Sequence, residues 1–222
     1  MRIVLLTILC LALAAVPALA QQWSYDNGPI NGTTDAWTIN FGYIVSDTFT
    51  AGGSNVTGFQ FAVWEFGGDS MTSVDWSITS AENGGTVYGS GTAVKVMNSP
   101  AGGGGLVDTF VSSNQYGYDL DKITVTGLNV PVSAGLAPGS PYWLNLQNAV
   151  VPSGDPVFWD ENSGKGCGGS GCPSMASESS VGTIPSESFT ISGGGTTPEP
   201  GSILLFGSGI LGLVGVLRRK LF

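Results

Sequence analysis

The chain has 222 residues, with sixteen acidic side chains, seven basic ones and no histidine, for a formal net charge of −9. The missing imidazole excludes Ser-His-Asp and Cys-His nucleophilic catalysis in their usual forms, and histidine-ligated zinc with them. The acidic balance excludes nucleic acid as a partner, because a phosphate-binding surface needs clustered Lys or Arg.

At the N-terminus, Arg2, an apolar run over residues 3–15 and the small-x-small site Ala18-Leu19-Ala20 read as a secretory signal peptide covering residues 1–20. The apolar run is too short for a spanning anchor, and polar Gln21 and Gln22 follow at once. One domain is expected over residues 21–192, long enough for a substantial core. Between the two terminal signals, fifteen acids stand against Lys95, Lys122 and Lys165, a net charge of −12. Such an excess suits solubility outside the cell and leaves carboxylates free for cations.

Short apolar-alternating runs separated by turn residues recur through this domain, the pattern of an all-β chain. The first expected strand covers residues 44–50, with Phe49 as its apolar anchor. Over 57–66, Phe59, Phe61 and Val63 share one face, while Gly58, Gln60, Ala62 and Trp64 share the other. Val74, Trp76 and Ile78 alternate with Asp75, Ser77 and Thr79, giving one buried and one wet face. Further strands are expected over 86–96, 106–112, 121–128, 142–148 and 187–191, with Tyr142, Leu144 and Leu146 pointing inward. Turns are signalled at Asn83-Gly84-Gly85, Gly102 to Gly105, Pro138-Gly139 and Ser153-Gly154. About nine or ten strands at this spacing imply two sheets face to face, a single antiparallel, jelly-roll-like β-sandwich.

Residues 193–197 read as a Gly/Thr linker. Residues 198–222 then read PEPGSILLFGSGILGLVGVLRRKLF, uncharged from Gly201 to Leu217. At about 1.5 Å per residue this run makes a transmembrane helix of roughly 25 Å, near the short end of what crosses a hydrocarbon layer about 30 Å thick. Arg218, Arg219 and Lys220 form the membrane stop and would stay on the cytoplasmic side by the positive-inside rule. The order Thr197-Pro198-Glu199-Pro200-Gly201, apolar helix, basic end resembles the PEP-CTERM sorting signal of Gram-negative bacteria. That resemblance implies recognition of Pro198, Glu199 and Pro200 by exosortase, a membrane-embedded cysteine transpeptidase that removes the helix. It also implies an exported precursor held transiently in the inner membrane, and a product at the cell surface or in the extracellular matrix, associated with exopolysaccharide and biofilm. The resemblance covers the tail alone.

Chemistry inside the domain is sparse. Cys167 and Cys172 enclose Gly-Gly-Ser-Gly, and an exported chain meets an oxidising compartment, so a disulfide is expected. Asp155 and the run Asp160-Glu161-Asn162-Ser163-Gly164 concentrate oxygen ligands, and Asp160, Asn162 and Gly164 follow the order that opens a calcium loop. Asp155, Asp160 and Asn162 are therefore the candidate Ca2+ ligands, with Asp119 and Asp121 a second acidic pair; no other cofactor is expected. A non-catalytic domain fits this inventory best. Two alternatives make distinct demands: a carbohydrate-binding module, calcium-assisted or not, needs solvent-facing tryptophans among its six, and a carboxylate-based glycoside hydrolase needs two facing acids in a deep cleft.

Overall fold

In the computed structural model, which describes residues 22–95, 104–132, 141–162 and 174–194, every regular element is a β-strand. These residues belong to one unit, Gln22–Gly194. In chain order the strands are β1 (Gln22–Asp26), β2 (Ala36–Thr38), β3 (Ile44–Thr50), β4 (Asn55–Phe66), β5 (Ser73–Ala81), β6 (Gly84–Lys95) and β7 (Gly105–Ser113). They continue as β8 (Tyr118–Pro131), β9 (Pro141–Val150), β10 (Phe158–Asp160), β11 (Ala176–Glu178), β12 (Gly182–Ile184) and β13 (Phe189–Gly194). The signal peptide with Ala18 and Ala20, the tail over 198–222, the cysteines Cys167 and Cys172, and the turns at 102–103 and 138–139 lie outside the described residues.

The strands hydrogen-bond into one sheet in the order β1-β13-β4-β8-β7-β6-β5-β9-β3-β11-β12, with β10 joining β4 and carrying β2. Pairing is antiparallel except between β6 and β7, which run parallel for two residue pairs, Val94↔Gly105 and Lys95↔Leu106. The expectation of two separate, purely antiparallel sheets is corrected accordingly: a brief parallel seam joins both halves into a single mixed sheet. That sheet curls until its halves face each other, as sandwich layers would. Phe59 of β4 meets Trp76 of β5 edge-on at 6.1 Å, and Tyr25 of β1 meets Phe49 of β3 at 6.1 Å. The Tyr25 hydroxyl also donates across the gap to the Thr48 carbonyl at 3.1 Å.

Period-two alternation fills the space between the halves. Val74, Trp76 and Ile78, then Tyr142, Leu144 and Leu146, then Phe59, Phe61 and Val63 all lie buried in the main core. Each such side chain contributes about 1.5–3 kcal/mol by leaving water. The outer face of β4 is covered as well, because Ala62 and Trp64 form a second cluster with Leu120, closed over by Ile30, Ala36, Tyr118 and Phe158.

Next to the edge strand β1, β13 runs on through Gly194, so Gly193 and Gly194, read from the sequence as linker, are strand residues pairing Trp23 and Gln22 of β1. Glycine is required there. A Cβ on Gly193 would overlap the Trp23 ring and the Asn55 carbonyl oxygen, and one on Gly53 would overlap the same indole. The Trp23 ring is held in this slot by its Nε1–H, which donates to the Gly194 carbonyl at 3.0 Å.

Candidate functional site

Three apolar alternations in this sheet each include an acid. On β4 the series Phe59, Phe61, Val63 is followed by Glu65; on β8 the series Val125, Ile123 is followed by Asp121; on β7 Asp108 follows Leu106. Because side chains alternate, such an acid is carried inward with its apolar neighbours. The register brings the three strands together at one level, with Val63 opposite Asp121, and Ile123 opposite both Phe61 and Asp108. Glu65 is 0 % exposed and Asp121 4 % exposed, while Asp108 is half-buried. One carboxylate oxygen from each lies within 4.8 Å of the others.

The loop between β4 and β5 closes one side of the cluster. Asp108 Oδ2 accepts hydrogen bonds from Ser70 Oγ at 2.6 Å and from the Met71 amide at 2.8 Å. Lys95 Nζ donates to Ser70 Oγ, so this cation approaches Asp108 through a hydroxyl. Asp108 Oδ1 and both Glu65 oxygens have no hydrogen-bond partner. Burial first, and then the charges of Asp108, Asp121 and Asp69, push Glu65 up to about 8 against the opposing pull of Lys95. Burial, followed by Asp108 and Asp119, pushes Asp121 up to about 6. Repulsion among acids is thus stored in the core instead of being relieved by a basic partner.

A second buried acidic group has a different character. Asp47 of β3 is fully buried, but its carboxylate is well supplied: Oδ2 accepts from the Glu187 amide at 2.7 Å and Asn27 Nδ2 at 3.0 Å, and Oδ1 from the Thr48 amide at 2.6 Å. Burial outweighs these bonds and raises Asp47 to about 7. Glu187 is also fully buried and its carboxyl oxygens are unpartnered; burial, then Asp47 and Glu161, hold it well above the usual carboxylate range.

The residues singled out from the sequence as calcium ligands take up structural work. Asp160 Oδ1 accepts from Trp64 Nε1 at 2.7 Å and the Gly32 amide at 3.0 Å; Oδ2 accepts from the Asn31 amide and Ser188 Oγ, each at 3.1 Å. Four protein donors occupy the lone pairs a cation would need. Asn162 Nδ2 donates to Ser186 Oγ at 2.8 Å and to the Glu187 carbonyl at 3.1 Å. Asp155 engages through its backbone, the carbonyl accepting from Asn40 Nδ2 at 3.0 Å and the amide donating to Ser153 Oγ at 3.0 Å. Asp160 and Asn162 thus form a hydrogen-bonded hub that fastens the 31–32 turn and the 186–188 segment. Of the second pair, Asp121 belongs to the acid cluster, whereas Asp119 accepts from Ser113 Oγ at 3.0 Å and the Gly68 amide at 3.2 Å. Glu65 and Asp108 escaped the sequence reading, although the signal was present: each occupies a position where the alternation calls for an apolar side chain.

The tryptophans are all at least half-buried. Trp64, Trp76 and Trp159 are buried and Trp23, Trp37 and Trp143 half-buried. Trp37 Nε1 donates to Glu161 Oε1 at 2.8 Å and Trp159 Nε1 to the Ser188 carbonyl at 3.0 Å.

For the tail, comparison with known families is decisive. Residues 196–220 match the PEP-CTERM protein-sorting motif. The PEP-CTERM match contains Pro198, Glu199 and Pro200 and the basic stop Arg218, Arg219 and Lys220, and it confines the resemblance to the C-terminal tail. It implies exosortase as the processing partner and export as the route. A search of curated proteins finds no match to the chain.

Proposed function

We propose that this is an exported precursor whose β-sheet domain is non-catalytic cargo, held in the inner membrane by its tail, cut by exosortase at Pro198-Glu199-Pro200 and left at the cell surface or in the extracellular matrix among exopolysaccharide. The observation that carries this reading is the PEP-CTERM match at residues 196–220, directly after a domain whose last strand ends at Gly194. A cut there would leave every described strand intact.

A non-catalytic role is supported by where the acids lie. Hydrolysis of a glycoside needs two carboxyl groups flanking an open cleft, but Glu65 and Glu187 are sealed in the interior. A half-open surface hollow of about 360 Å³ is lined by Gln22, Trp23, Ser24, Thr57, Ser192 and Gly193, with no acid among them. Three of the six tryptophans, Trp64, Trp76 and Trp159, are buried and unavailable for glycan stacking, and no row of exposed indoles is presented.

The test is mass spectrometry of the protein recovered from its host with and without exosortase. A C-terminus near Pro198 that depends on the enzyme is expected; an intact Phe222 in both strains would refute processing. Fractionation of the cut form with the exopolysaccharide matrix tests its destination, and recovery solely from the inner membrane would refute that part.

A further inference from the structure

The acid cluster formed by β4, β7 and β8 is independent of the sorting tail and of the calcium loop expected from the sequence. We propose that Glu65, Asp108 and Asp121 bind a calcium ion between the two halves of the sheet.

Two separate observations point to a ligand. Carboxylate oxygens from three different strands converge within 4.8 Å of one another. Glu65, which is fully buried, places both its oxygens in this space without a hydrogen-bond donor, and Asp108 Oδ1 is likewise unpartnered. A buried carboxylate without partners is costly, and proteins resolve that cost by pairing, by protonation or by metal coordination. Lys95, the cation beside the cluster, donates to Ser70 Oγ.

The donor chemistry favours calcium. The donors are hard oxygens with no sulfur or imidazole. Calcium accepts six to eight oxygens in flexible geometry, whereas magnesium demands a near-ideal octahedron and retains most of its water, which a buried carboxylate cluster does not readily accommodate. Glu65 is free to bind through both oxygens, Asp108 offers Oδ1 while Oδ2 stays tied to the β4–β5 loop, and half-buried Asp108 marks the side from which an ion and its remaining waters enter. The ion would join β4, β7 and β8, and through Asp108 the Ser70–Met71 loop that leads into the opposite half of the sheet.

The experiment uses the full-length chain in detergent, stripped with chelator, then titrated with CaCl2 or MgCl2 by calorimetry and melted with either salt at about 2 mM. One calcium per chain is expected, with a rise in Tm of about 5–10 °C. Glu65→Gln and Asp121→Asn should each abolish the calcium-dependent rise. Glu65→Gln should also melt no lower than the chelated parent protein, since a neutral amide of the same size replaces an ionisable carboxyl beside two other acids, so its insensitivity to calcium cannot be ascribed to unfolding. No calcium-dependent rise in the parent protein, an equal rise in both variants, or a larger rise with magnesium would each overturn the assignment.

Discussion

Raising the pH from 5 to 9 in metal-free buffer should loosen this fold. Glu65 moves from an ordinary 4.5 to about 8, and Asp47 from 3.8 to about 7. A carboxyl whose pKa is higher in the folded chain contributes stability that is complete below the unfolded value and is lost as pH climbs through the folded one. Glu65 faces Asp69, Asp108, Asp121 and Lys95; the part of its displacement that lies above pH 5, at about 1.4 kcal/mol per pH unit, corresponds to a loss of about 4 kcal/mol. Asp47, beside Tyr25 and Glu187, corresponds to about 3 kcal/mol over the same range. Asp121 titrates together with Glu65 and is not counted again. The combined loss is comparable to the whole stability of a typical domain, about 5–15 kcal/mol. Urea denaturation followed by tryptophan fluorescence should show the midpoint falling steadily across this range, by about 2 M or more, and Glu65→Gln should remove roughly half the slope. A midpoint that stays level or rises with pH would refute the reasoning.

Two substitutions probe other parts of the sheet. Gly193→Ala forces a methyl group into the Trp23 ring and the Asn55 carbonyl; overpacking of this kind costs about 1–3 kcal/mol, so Tm should drop by about 3–10 °C in a thermal melt. Asp160→Ala strands the Trp64 indole, the amides of Asn31 and Gly32, and the Ser188 hydroxyl. A loss of about 3 kcal/mol or more is expected from calorimetric melting, with the response to calcium undiminished; loss of that response instead would return the ion to the loop read from the sequence.

The long strands were legible because period two is a strong signal wherever one face is buried. The expected strand at 44–50 has the observed bounds of β3, and those at 57–66, 106–112 and 142–148 fall inside β4, β7 and β9. The three-residue strands β2, β10, β11 and β12 were not legible, since so short a segment cannot display a period and is held in place by its neighbours. β1 was missed for a related reason: its pairing rests on residues near the other end of the domain. The curl of the sheet depends on the two-residue parallel seam, which no local pattern announces. At the site, acids clustered in sequence at 160–161 looked like ligands but serve as acceptors for protein donors, while acids scattered at 65, 108 and 121 converge through strand register.

The pairing of Gln22 with Gly194 has a consequence for the order of events during export. The opening strand finds its neighbour in the closing strand, so the edge of the domain cannot be finished until nearly all of the chain has crossed the membrane. Assembly outside and severance of the tail would then follow one another naturally: the hem is sewn last, and the thread is snipped just beyond it.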